Sequence, residues 1–415
     1  MMTLSESENM SEKMIADPAE LEESIVKAKS WLVNSGIQNT GSRLLDVKGG
    51  FNSWYNINDE NYFYTYSEIT GYAITNLLFL HKREDKNIYL LKAILAAEWL
   101  LDKASHKSGG VKTRYFLDEK NANELYDFTN GVVHSFDNGI VLNGLMDIYE
   151  ATKEERYMKV ANKIGNLLVE TMQKEDGSLY ASYSHKEESF KDHDEKWSTQ
   201  SGSFHAKVAM GLLKLYEATK NNKYKEAVVK LCNSALKLQE VDGRFISYKK
   251  EKDTHLHPHC YSAEGLLFAG IHLKNEAYIK SAVNATKWAL EMQMENKGIP
   301  SMYVKGEPVA IERSDVLAQV LRLGTITRSM NLIDEKYDPI LDSIAKRLLE
   351  FQYKNEELSI DGGFSYGHDV DYRNNLKGEK KNHANSWCTM FALQALVYYK
   401  DYKEGKFVFD KNELV

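Results

Sequence analysis

The sequence predicts an all-α protein, an (α/α)6 barrel in which six helical hairpins close into a toroid. Three observations predict it. The stretch YEATKEERY, Tyr149 to Tyr157, returns as YEATKNNKY, Tyr216 to Tyr224. Each copy ends an apolar helix in a short polar turn and starts a second helix with a polar face, so the repeating unit is a hairpin. Helices with Lys and Glu on one face alternate with helices rich in Gly, Ala and Leu, and helices apolar all round are buried ones, which gives two concentric rings. Finally, turns leaving the apolar helices are short, as at Ala151 to Glu155, whereas connections entering them run to about 20–30 residues. Long connections of one kind must share one face, and long loops on a rigid scaffold are where binding residues collect.

Taken in order, the outer helices are expected over 19–35, 86–104, 155–173, 222–239, 276–293 and 337–353, and the inner helices begin near Ser67, Asp137, Phe204, Tyr261, Ser314 and Asn385. The loops between them, 37–66, 104–136, 174–203, 240–260, 295–312 and 355–384, carry strand-like pieces with Gly: GGVKTRYF from Gly109, DGSLYASY from Asp176, DGRFISY from Asp242 and DGGFSYG from Asp361. The organisation is a loose or disordered tail over 1–17, one toroid over 18–402 and a C-terminal tail over 403–415.

Composition agrees with a large globular core, with 43% hydrophobic and 27% charged residues. No apolar run approaches the roughly 18 residues of a membrane helix. The first residues, with Ser5, Glu6, Ser7, Glu8 and Asn9, lack the basic start and apolar stretch of a signal peptide. A net charge of −7 without a basic stripe argues against nucleic acid. The 3 cysteines, Cys232, Cys260 and Cys388, are too scattered for a disulfide framework, which points to a reducing compartment and a cytoplasmic protein. No cofactor is expected, no tight ligand cluster calls for a metal, and both monomer and homodimer stay open.

Every inner helix presents its N-terminus to the loop face, so free backbone N–H groups and positive dipole ends converge on one cavity, an arrangement that favours anionic groups. At those starts stand Tyr66 and Glu68; His134 and Asp137; His205; His257, His259, Tyr261 and Glu264; Arg313 and Asp315; and His383, Asn385 and Trp387. Asp137, Asp315 and Asn385 also suit helix capping, whereas histidine is a poor cap. Two chemistries fit. A glycosidase uses a pair of carboxylates, with Glu68, Asp137, Glu264 and Asp315 as the candidates. An epimerase or lyase moves a proton beside a carbonyl or carboxylate, with His259 and His383 as base and acid and Tyr261 and Arg313 assisting. The loop aromatics Trp54, Tyr55, Tyr62, Tyr64, Tyr183 and Trp197 offer flat surfaces to sugar rings or pack the loops.

Through its alternation of helices over residues 18–400, the chain resembles the six-hairpin glycosidase superfamily, and within it the N-acylglucosamine 2-epimerase and cellobiose 2-epimerase family. HCYSAEGLL from His259 is similar to the opening of that family's fourth inner helix, and HANSWC from His383 falls where its second catalytic His opens the sixth. The resemblance implies His259 and His383 as the acid/base pair with His205 assisting. Ser262 stands where the family has a Glu, and YTYSEITGY from Tyr64 lacks the family's first-helix Arg.

The expected catalytic residues are therefore His259, His383, Tyr261, Glu264, His205 and Asp137. The expected substrate contacts are Tyr66, Glu68, His134, His257, Arg313, Asp315, Asn385 and Trp387, with a sugar or acidic oligosaccharide as partner. Other readings are a carboxylate-pair glycoside hydrolase, a non-catalytic sugar-binding toroid, and a zinc-dependent cyclase of lanthionine type that would use Cys260 and Cys388. A terpene-cyclase reading of QKEDG from Gln173 and QEVDG from Gln239 lacks the Trp and the DxDD acid of that group.

Overall fold

A computed structural model of the chain describes residues 16–41, 46–107, 109–118, 120, 122, 126–192, 196–371 and 375–415. Residues 1–15 of the expected N-terminal tail lie outside these; Asp17 caps the first helix, accepting from the Ala19 N–H at 2.7 Å. The described residues form six helical hairpins. The outer ring is α1 (Pro18–Asn34), α3 (Asn87–Trp99), α5 (Glu155–Asn166), α7 (Asn222–Leu236), α9 (Glu276–Glu291) and α11 (Asp338–Leu349). The inner ring is α2 (Ser67–Glu84), α4 (Ser135–Thr152), α6 (Ala209–Thr219, entered by a 3-10 turn Ser203–Val208), α8 (Leu256–Leu273), α10 (Ser314–Ser329) and α12 (Ser386–Lys403). Inner helices touch in chain order, and α12 returns to α2, so the ring is closed.

The repeated ATK segments now have a physical reading. Lys153 and Lys220 adopt left-handed backbone (φ 57 and 58) as helix C-caps, while Thr152 and Thr219 bond back to the carbonyls four residues earlier and accept from the next segment's N–H. The turn thus satisfies orphan helix-end groups locally. The inner helices are rich in glycine because they pack backbone to backbone: a Cβ on Gly265 would stand 2.2 Å from the Ala206 carbonyl carbon.

A second repeat joins neighbouring outer helices. After α7, Gln239 Nε2 donates to the Gly243 carbonyl (2.8 Å) and to the Ser281 carbonyl of α9 (2.9 Å). After α5, Gln173 does the same to Gly177 and to Ala227 of α7. After α11, Gln352 closes the circle onto Ser24 of α1 (2.9 Å). This is what the Gln-to-Gly turns are for. Gly243 holds φ +101, and a Cβ there would stand 2.6 Å from the Asn284 carbonyl oxygen. Gly243→Ala is therefore expected to cost on the order of 2–3 kcal/mol of unfolding free energy, from backbone strain plus loss of the close approach; a denaturant midpoint unchanged from wild type would disprove this role for the pin.

The loops meet on one face, where short antiparallel strands join neighbouring loops. β3 (Tyr64–Tyr66) pairs with β4 (Arg114–Phe116), β5 (Val132–His134) with β6 (Ser182–Ser184), and β8 (Thr254–His255) with β9 (Pro300–Val304). Arg313 bridges to Gly367, and β12 (Asn375–Asn385) pairs with β1 (Trp54–Asn56), which joins the last loop to the first. One expected boundary is corrected. The fourth inner helix starts at Leu256 and not near Tyr261, because the Thr254–His255 strand pair delivers the chain into the helix a turn earlier. The segment read as a C-terminal tail is folded in: Leu414 and Val415 are buried, with the Val415 N–H on Gln394 Oε1 (3.1 Å).

Candidate active site

The rule that fills the cavity is local. Each inner helix follows directly on an extended residue, its N-cap, and these caps are Tyr66, His134, Gly202, His255, Arg313 and Asn385. All but Gly202 border a cavity of about 760 Å³ at the loop face. The next inward position is two residues on, which supplies Glu68, Phe136, Phe204, His257 and Trp387 to the same cavity.

One wall is acidic. Glu68 opens α2 and Asp137 opens α4, neighbours in the inner ring. Burial raises the Asp137 carboxyl well above its ordinary value, and the Glu68 charge raises it further. Burial also raises Glu68; Tyr66 and Arg114 oppose the rise at both groups, but Glu68 has Lys207 opposing it as well, whereas Asp137 carries the added push of the Glu68 charge. Two carboxyls that share a desolvated wall cannot both ionise cheaply, and the neutral form is favoured more at Asp137 than at Glu68. Tyr66 donates its hydroxyl to Asp137 Oδ1 (3.3 Å), and Asp137 Oδ2 has no hydrogen-bond partner among the described residues. Arg114 stands over this wall, its guanidinium 4.0 Å from the Tyr126 ring and 4.8 Å from both Tyr64 and Tyr66.

The opposite wall is made by α8 and α10, which face α2 and α4 across a six-membered ring. His257 borders the cavity, and burial lowers its pKa to about 4, so it is neutral near pH 7. Arg313 lies 4.3 Å over the Tyr366 ring and donates to His255 Nε2 (3.0 Å). Tyr261 lies one turn deeper than His257, against Phe136, with ring centroids 4.7 Å apart. His383 reaches the cavity from β12 and stacks on Trp54 at 4.6 Å with an interplanar angle of 3°. Since Phe63 stacks on Trp54 as well, at 5.4 Å, the indole packs the loops and offers a sugar little of its face.

Of the residues read from sequence, the structure brings Tyr66, Glu68, His134, Asp137, His257, Tyr261, Arg313, His383, Asn385 and Trp387 together at the cavity. Four others are absent from its wall. His259 is turned to the outer ring: Nδ1 accepts from the Phe245 N–H (3.0 Å), Nε2 bonds the Ala285 carbonyl of α9 (3.0 Å), and the ring packs on Trp288. With the helix starting at Leu256, about 100° per residue puts His257 and Tyr261 on one face and His259 nearly opposite. His205, pushed down to about 3 by burial, bonds the N–H of Gly202. Glu264 shares the cavity-facing stripe of α8 but lies roughly two turns down, where Lys207 (2.7 Å) and Arg322 pair with it. Asp315 is fully buried behind Arg313, His257 and Trp387. At Ser262, where the resembled family has Glu, the hydroxyl ties α8 to Ser203 at 2.9 Å.

Sequence reading missed Arg114, Tyr126, His255, Lys196, Tyr248, Tyr366 and Lys381 in the cavity wall. For Arg114 a signal existed: it lies in a strand-like piece already recognised, and pairing β4 to β3 sets it opposite Tyr66. For His255 the signal was the strand Thr254–His255 directly before the helix.

No helix among the described residues is long and apolar enough to cross a membrane. No curated protein sequence matches the chain. Solved structures match its fold over nearly its full length. A sugar epimerase from a ruminal bacterium is 11% identical with a TM-score of 0.72, covering 94% of this chain and 99% of its own. Cellobiose 2-epimerase from Bacillus thermoamylovorans B4167 is 14% identical with a TM-score of 0.69, covering 95% and 99%. An unsaturated glucuronyl hydrolase specific for heparin is 12% identical with a TM-score of 0.69, covering 94% and 99%. These likenesses show the (α/α)6 toroid. The family model of glycosyl hydrolase family 76 matches residues 33–296, and the chain belongs to that family, a carbohydrate-active enzyme built on the six-hairpin toroid.

Proposed function

We propose that the protein is a glycoside hydrolase for an acidic sugar, with Asp137 as the proton-bearing acid and Glu68 as its partner carboxylate. One observation carries this reading: two carboxyls on adjacent inner-helix starts border one cavity, and their surroundings push Asp137 further toward the neutral form than Glu68. That division is what cleavage of a glycosidic bond requires, since one carboxyl protonates the leaving oxygen while the other meets the developing positive charge at the anomeric carbon or activates water. Arg114, Arg313, Lys196 and Lys381 border the same cavity in a protein of net charge −7. Cations gathered there against the overall charge suit a carboxylate on the sugar. The likeness to a glucuronyl hydrolase supports the same substrate class.

The test is turnover on saturated and unsaturated uronate oligosaccharides beside neutral mannan, cellobiose and N-acyl hexosamines, reading reducing ends, loss of the uronate double-bond absorbance and epimer ratio. Hydrolysis of the uronates and not of the neutral sugars is expected. Epimer formation on a free sugar without hydrolysis would replace this reading with the epimerase one. The pH profile of kcat/KM should be bell-shaped. Its acid limb follows ionisation of Glu68 and its alkaline limb loss of the Asp137 proton, both displaced upward from ordinary carboxylates because burial raises both. A profile flat across the carboxylate range and governed by one group near pH 6–7, the ordinary histidine range, would count against the pair.

A further inference from the structure

The wall opposite the carboxylate pair is organised from behind. Asp315 is fully buried and does not itself border the cavity, yet three cavity residues from three inner-helix starts meet on its carboxylate. Arg313 donates Nε to Oδ1 (3.0 Å) and Nη2 to Oδ2. Trp387 donates Nε1 to Oδ2 at 3.1 Å, and His257 Nδ1 lies 3.3 Å from the same oxygen. Burial would raise Asp315, but Arg313 and His257 overcome this and hold it at about 2, so it is ionised and can only accept. A neutral imidazole beside an ionised carboxylate must carry its hydrogen on the near nitrogen. Gln319 Oε1, 2.6 Å from Nδ1, accepts the same hydrogen. That leaves Nε2 of His257 with a bare lone pair.

We propose that Asp315 is the positioning residue of this wall: it holds His257 as the Nδ1–H tautomer, with Nε2 free to accept from a sugar hydroxyl, and fixes Arg313 and Trp387 beside it. A hydroxyl donor and an anionic oxygen on the same sugar are then read together, by His257 and Arg313. The identity of that sugar rests on the hydrolase reading above; the tautomer does not.

Histidine nitrogen NMR of the wild-type protein at neutral pH tests the tautomer directly, with His257 assigned by the signals lost in His257→Gln. A protonated Nδ1 and a bare Nε2 are expected; a hydrogen on Nε2, or a mixture, overturns the proposal whether or not turnover is found. In Asp315→Asn, KM for a uronate substrate should rise about 10–100-fold, the worth of hydrogen bonds to a charged group, with kcat changed less, and Asp315→Glu should recover part of the loss. If no substrate is turned over, the dissociation constant of glucuronate by calorimetry takes the place of KM. A folded Asp315→Asn protein that binds glucuronate as wild type does would equally overturn the proposal.

Discussion

Asp137→Asn should abolish most turnover, on the order of 10²–10⁴-fold in kcat, while making the folded protein more stable near neutral pH. Both effects come from one feature. In the unfolded chain an aspartate titrates near the usual 3.9, but in the fold burial and the Glu68 charge raise its pKa. A raised folded-state pKa means that the group favours folding only below its unfolded pKa, and that this contribution is lost as pH rises through the folded value. Asparagine keeps an oxygen for the Tyr66 hydroxyl but has no proton to lose and no charge to bury. The melting temperature of the variant should therefore exceed that of wild type at pH 7, and the gap should close as pH falls toward about 4. Full turnover in this variant, or a stability difference that does not vary with pH, would remove Asp137 from the role of acid. Gain in stability with loss of function is the usual mark of a group retained for chemistry.

The second large effect is expected at Glu264 and is purely structural. Its carboxylate is completely buried between Lys207 at 2.7 Å and Arg322, whose Nη1 also reaches Gln394 at 3.0 Å. Burial alone would raise its pKa, yet the two cations outweigh it, so the group is held ionised below the ordinary glutamate range. Removing one member of such a cluster leaves charge uncompensated in the interior, which costs about 3–5 kcal/mol. Glu264→Gln should unfold at markedly lower denaturant, and any activity lost should track loss of fold. If Glu264→Gln melts like wild type and is inactive, Glu264 is catalytic after all and the ion-pair account fails.

These two residues show how far the site was legible. Asp137 and Glu264 were equal as sequence candidates, since both are acids near an inner-helix start. Depth separates them: Asp137 stands in the first turn, beside the loops, and Glu264 two turns further down, where cations from the third and fifth inner helices close on it. Neither cation is near Glu264 in sequence. His257 and His259 differ in another way. Which of them faces the cavity depends on where the helix begins, and that point is set by the Thr254–His255 strand pairing with Tyr303 and Met302. Arg114 likewise reaches Tyr66 through strand pairing between two successive loops.

Sequence by itself determined the ring of six hairpins, the face on which the long loops gather and, the fourth excepted, the inner-helix starts that supply the cavity wall. Those features follow from periodicity, turn chemistry and alternation of polarity, which act over a few neighbouring residues. Tertiary structure alone decided which side chains at those starts reach the cavity, which carboxyl is pushed further toward its neutral form and which charges are spent on one another inside the core. Each of these depends on groups brought together from distant parts of the chain, because pairing and desolvation exist only once the ring has closed.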